Sequence, residues 1–161
     1  MKKVLFSIFI ALAAMTAGAQ TSTQCENPVI WADVPDPDVI RVGSDYYMVS
    51  TTMHLMPGVP VMHSRDLVHW ETVGYVYDKL SDTPLYDLEG GTVYGRGQWA
   101  TSIRYHKGTY YLLFSPNDRP YRSFIYTAKD PAGPWTLQCR TNHFHDASLF
   151  IDDDDRVYVF Y

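Results

Sequence analysis

The chain has 161 residues, with 18 acidic side chains against 13 basic ones and a formal net charge of −5. An acidic chain without basic runs is a poor partner for nucleic acid or an anionic membrane surface. Thirteen tyrosines and four tryptophans supply aromatic faces with polar rims, which suit neutral ligands such as sugar rings as well as ordinary cores.

The first segment is a basic start, Met1-Lys2-Lys3, followed by an apolar run over 4–14 and the small residues Ala17-Gly18-Ala19. This is the pattern of a secretory signal peptide over 1–19, cleaved near Ala19-Gln20. The run is too short to span a bilayer, so the expected location is secreted or periplasmic. Residues 20–161 are enough for one core. Cys25 and Cys139 would meet an oxidising compartment, where a disulfide between them is open but not required.

Next comes Val34-Pro35-Asp36-Pro37-Asp38-Val39-Ile40, an acid between two prolines at the mouth of a strand. Pro37 disfavours the helical region for Asp36, so the carboxylate is expected on stiff, extended backbone. Beyond it, short runs rich in Tyr, Val, Ile and Thr alternate with Gly, Pro, Asp and Asn, the pattern of an all-β chain. Strands are expected over 45–51, 59–64, 110–114, 123–128 and 157–161.

The chain also repeats itself. Gly43-Ser44-Asp45-Tyr46-Tyr47 is matched by Gly108-Thr109-Tyr110-Tyr111, and Arg65-Asp66 ahead of Trp70 by Lys129-Asp130 ahead of Trp135, at a spacing of 64 or 65 residues. A constant offset is the trace of a repeated supersecondary unit, and four strands per unit is the content of a propeller blade. Inner segments precede the tyrosine pairs at Asp36-Pro37-Asp38 and Ala100-Thr101-Ser102, and a third begins at Asp146-Ala147-Ser148-Leu149-Phe150. The expectation is a β-propeller of which about the first two and a half blades are present, the front part of a longer protein. Inner strands line a propeller's channel, so Asp36 and Asp146 would converge at one mouth. Paired carboxylates of that kind serve glycoside hydrolysis.

Other candidates have plainer readings. The aspartates over 152–155 lack the glycine and terminal glutamate of an EF-hand loop and suit a hairpin turn. The six histidines show no metal-ligand spacing, and nothing calls for a metal, redox or nucleotide cofactor. Trp70 and Trp135 recur with the repeat and read as packing residues. Trp99 breaks the recurrence, which points toward ligand contact.

Pro35-Asp36-Pro37 followed by Tyr46-Tyr47, then Pro57-Gly58-Val59, Ser64-Arg65-Asp66-Leu67-Val68-His69-Trp70, Gln98-Trp99-Ala100 and Asp146-Ala147-Ser148-Leu149-Phe150 together resemble glycoside hydrolase family 43. The resemblance implies a five-bladed β-propeller acting with inversion on xylan- or arabinan-derived chains, as a β-xylosidase, α-L-arabinofuranosidase or arabinanase. It implies Asp36 as general base, Asp146 as the acid that tunes and orients its partner, Trp99 as an aromatic at the sugar pocket, and the loop around His54 at the first subsite. The family's general acid is a glutamate in a Glu-Gly-Pro motif that these residues do not contain; Glu89-Gly90-Gly91 lies in the wrong order to replace it. Thr101 stands where many relatives have proline, a change expected to loosen the pocket wall. Two classes of function follow: an exported glycosidase on neutral plant-type oligosaccharides or polysaccharides, or a catalytically inactive sugar-binding propeller fragment. A fructan-cleaving propeller would need an Asn-Asp-Pro-Asn type signature, which Pro35-Asp36-Pro37-Asp38 does not supply.

Overall fold

A computed structural model describes residues 26–161; residues 1–19, read above as a signal peptide, and Cys25 lie outside them. The described residues are all-β. Two four-stranded antiparallel meanders follow one another, β1 (Asp38–Val42), β2 (Asp45–Val49), β3 (Gly58–Ser64) and β4 (Glu71–Tyr77), then β5 (Gln98–His106), β6 (Thr109–Pro116), β7 (Arg122–Ala128) and β8 (Thr136–Asn142). A hairpin of β9 (Ser148–Ile151) and β10 (Val157–Phe160) begins a third sheet. One 3₁₀ turn, Pro84–Asp87, sits in the long connection between the meanders, started by Thr83, whose hydroxyl accepts from Leu85 N. No described helix is long and apolar enough to cross a membrane.

The 64-residue repeat is therefore structural: β2 and β6 start at 45 and 109, β3 and β7 at 58 and 122. Strand alternation explains how the sheets stack. On β6, Tyr110, Leu112 and Phe114 face the first meander and join Val49, Val59, Val61, Val76, Tyr77 and Ile103. The alternate residues Tyr111 and Leu113 face the third sheet, against Ala147, Leu149 and Val159. The second meander is thus apolar on both faces, and that buried position explains its unbroken hydrophobic run. Phe114 and Phe124 stack at 5.3 Å with nearly parallel rings, and the Arg140 guanidinium lies over Phe124.

Polar contacts tie the sheets at both ends. Asp38 Oδ2 on β1 accepts from Ser102 Oγ (3.1 Å), Ile103 N (2.9 Å) and Arg104 Nη1 (2.6 Å) on β5. At the other end, Asp155 in the β9–β10 turn accepts from Lys107 Nζ and contacts His106; these partners hold its carboxyl below the usual range, Lys107 foremost. The aspartates over 152–155 do form the expected hairpin turn, closed by Asp155 N donating to Asp152 O. The two recurring tryptophans are anchored alike, Trp70 Nε1 donating to Leu67 O and Trp135 Nε1 to Pro131 O. Cys139 is exposed on β8.

Candidate active site

Asp36 and Asp146 occupy equivalent places, each two residues ahead of an inner strand, β1 or β9. Both have left-handed backbone, with φ of 49° and 45°. The extended conformation expected for Asp36 is therefore corrected. Pro37 disfavours the right-handed helical region, but aspartate is one of the few residues that tolerates the left-handed one. Asp36 is fixed there by Thr51, whose Oγ1 donates to its Oδ2 at 2.8 Å while Thr51 N donates to Pro35 O at 3.0 Å.

The two aspartates line one open cavity of about 220 Å³ together with Thr51, Met53 and Trp99. Trp99 reaches it through a β-bulge. Gln98 pairs with Pro116 and Thr101 with Phe114, so β5 carries one extra residue there, and bulges re-aim side chains. The bulge is held by Gln98, a fully buried side chain. Its Oε1 accepts from Thr52 N (2.6 Å) and Thr52 Oγ1 (2.9 Å), and its Nε2 donates to Trp99 O (2.6 Å) and to Thr101 Oγ1. Backbone bonds between Met53 and Gln98 complete the joint. Thr101, expected to loosen this wall, is instead buried, with its hydroxyl shared between Gln98 and Trp99 O.

His54 follows Met53 but does not line the cavity. Its Nδ1 accepts from Gly95 N at 3.3 Å and its ring lies 4.8 Å from that of Tyr94, so it braces the loop that presents Met53. The histidine beside the site is His145, with Nε2 3.4 Å from Asp146 Oδ2 and its ring 6.1 Å from Trp99. Among the described residues no group of His, Cys, Asp or Glu is arranged to hold a metal ion. Thr51 and Met53 carry no signal in the sequence that links them to Asp36 or Asp146; His145 has only its adjacency to Asp146, and Gln98 only its place beside Trp99 in the quoted motif.

An all-β stack whose successive inner strands bring two carboxylates and a tryptophan to one solvent-open cavity is the layout of a carbohydrate-active fold. The sequence model of Glycosyl hydrolases family 43 matches residues 25–161, and the chain belongs to that family. It is 36% identical over 132 residues to a β-xylosidase of Formosa agariphila, covering 80% of this chain and 22% of the relative. It is 41% identical over 112 residues to the non-reducing end α-L-arabinofuranosidase BoGH43B of Bacteroides ovatus, covering 68% of this chain and 21% of the relative. A solved bifunctional GH43-CE protein of Bacteroides eggerthii superposes with a TM-score of 0.79 at 46% identity, over 85% of this chain and 19% of that one. The chain thus spans about a fifth of the length of these relatives.

Proposed function

We propose that this chain is the N-terminal part of an exported, five-bladed propeller glycosidase that cleaves xylan- or arabinan-derived oligosaccharides with inversion. Asp36 acts as the general base on the attacking water, Asp146 orients and tunes it, and Trp99 is the apolar platform for the sugar ring. The observation that carries this reading is the shared cavity of Asp36, Asp146 and Trp99. The names of the relatives, β-xylosidase and α-L-arabinofuranosidase, support the substrate class. A base that works through water needs room for that water beside its carboxylate, and an open cavity is consistent with it.

None of the glutamates lines that cavity, so the proton donor is assigned to residues outside these 161. By themselves these residues are expected to bind sugar without turnover. The test is hydrolysis of aryl xylosides and aryl arabinofuranosides by the full-length gene product. Asp36→Asn is expected to lower kcat about a hundred- to ten-thousand-fold. Unchanged turnover would remove Asp36 from its role.

A further inference from the structure

We propose that Ser102 is the positioning residue that sets the spacing of Asp36 and Asp146, an inference that rests on the role proposed for those two aspartates. The two carboxylates stand on different sheets, at the feet of β1 and β9, and the second meander lies between them. Ser102 is on the inner strand of that meander, at the repeat position that Asp38 holds in the first sheet and Ser148 in the third. Its hydroxyl donates to Asp38 Oδ2 at 3.1 Å and accepts from Leu149 N at 3.0 Å. Among the described residues it is the one side chain hydrogen-bonded to both inner strands. The route from one carboxylate to the other is short: two residues from Asp36 to Asp38, one hydroxyl, and three residues from Leu149 back to Asp146.

The chemistry fits a hydroxyl. A hydroxyl both donates and accepts, and it does both here at a site between three strands that is 2% exposed. Asp38 keeps two other donors, Ile103 N and Arg104 Nη1, so it stays satisfied without Ser102. Leu149 N does not: the Ser102 hydroxyl is the partner it has in the structure. Loss of the hydroxyl therefore frees the β9 side of the link, where Asp146 sits, more than the β1 side.

The experiment measures kcat and KM of the full-length gene product on an aryl glycoside for Ser102→Ala and Ser102→Thr, with thermal melts and circular dichroism to establish folding. For Ser102→Ala the expected result is a fall in kcat of about tenfold to a hundredfold, the range that a displacement of about an ångström produces, with KM changed less than about threefold. Ser102→Thr, which keeps the hydroxyl, is expected to retain most of the activity. Should Ser102→Ala not fold, Ser102→Cys, similar in size but a weak donor and acceptor, takes its place with the same expectation. A folded Ser102→Ala with wild-type kcat, or a folded Ser102→Thr as impaired as Ser102→Ala, overturns the inference. Asp36→Asn on the same substrate separates the two levels: wild-type turnover there defeats the catalytic reading and this inference with it. Loss in Asp36→Asn beside an unaffected Ser102→Ala defeats this inference alone.

Discussion

Replacing Gln98 by leucine tests whether one buried amide holds both walls of the cavity. The side chain is fully buried and uses its carbonyl twice and its amide twice. Two of the four partners are hydroxyls: Thr52 Oγ1 rotates toward another acceptor, and Thr101 Oγ1 loses a donor while it still donates to Trp99 O. The other two, Thr52 N and Trp99 O, are backbone groups fixed by the bulge. A buried polar group left without its partner costs about 1–3 kcal/mol. Trp99 O keeps the Thr101 hydroxyl at 3.3 Å and falls at the low end, so Gln98→Leu is expected to destabilise by roughly 2–4 kcal/mol. In urea unfolding followed by tryptophan fluorescence, with m near 2 kcal/mol/M, the midpoint falls by about 1–2 M. Gln98→Glu keeps the acceptor for Thr52 and loses the donor toward Trp99 O, so its deficit is smaller at pH 4, where protonation restores a donor, than at pH 8. A fall of less than about 0.3 M for Gln98→Leu, where m is near 2 kcal/mol/M, would show that the walls are held by packing alone and refute the reasoning.

Gly97→Ala attacks the same joint from the backbone. Gly97 has φ of 93° and an added Cβ would lie 2.2 Å from Met53 O, so a loss of about 3 kcal/mol or more is expected, with sugar affinity falling as the Met53 loop is pushed off β5; a stable variant with wild-type binding would contradict this. His63 gives a pH signature. Its pKa is raised, chiefly by its hydrogen bond to Asp45 at 2.7 Å, and that of Asp45 is lowered, chiefly by the same bond. The histidine contribution is complete below its unfolded value of about 6.5 and is lost as pH rises through the raised folded value. The aspartate contribution is complete above about 3.9 and is lost as pH falls through the lowered one. The stability gap between wild type and His63→Gln is therefore expected to be wider at pH 5.5 than at pH 9, and equal gaps in denaturant melts at both would refute it.

The sequence carried the sheets because their signals are local or periodic. Period-two alternation and aromatic, β-branched runs located β2, β3, β6, β7 and β10 to within about two residues, and the 64-residue offset divided them into units. Asp36, Asp146 and Trp99 were legible for a different reason: a stack of repeats brings equivalent positions together, so two acids at equivalent positions and one aromatic out of register mark the shared cavity. Gln98 and Ser102 stand in segments the sequence marks, beside Trp99 and on the inner strand, but what their side chains hold was not legible. A lone glutamine or serine in a strand has no period, and their partners lie up to 64 residues away. The backbone of Asp36 was misread because proline's effect on the preceding residue excludes one region of φ and ψ without choosing between the two that remain. His54 lies next to Met53, which lines the cavity, but which way its side chain turns depends on Tyr94 and Gly95, about 40 residues on.

The left-handed aspartates bear on why the repeat is not uniform. In the middle unit the position equivalent to Asp36 and Asp146 is Ala100, which lies within the stretch of β5 that carries the bulge. Left-handed backbone costs an L-residue roughly 1–2 kcal/mol, less for aspartate and nothing for glycine. In the hairpins between inner and second strands, positive φ falls on Gly43, on Lys107 with Gly108, and on Asp155, so glycine takes it in two of the three units. If the entries to β1 and β9 served only to start a strand, glycine would serve there too. Aspartate at both accepts a backbone penalty that yields no apolar burial, since both side chains are exposed to the cavity. What the penalty secures is a carboxylate turned out of its strand's alternation at the mouth of the stack, once on each side of Trp99's sheet. The middle sheet, with alanine there, spends the same position on the bulge that brings Trp99 beside them.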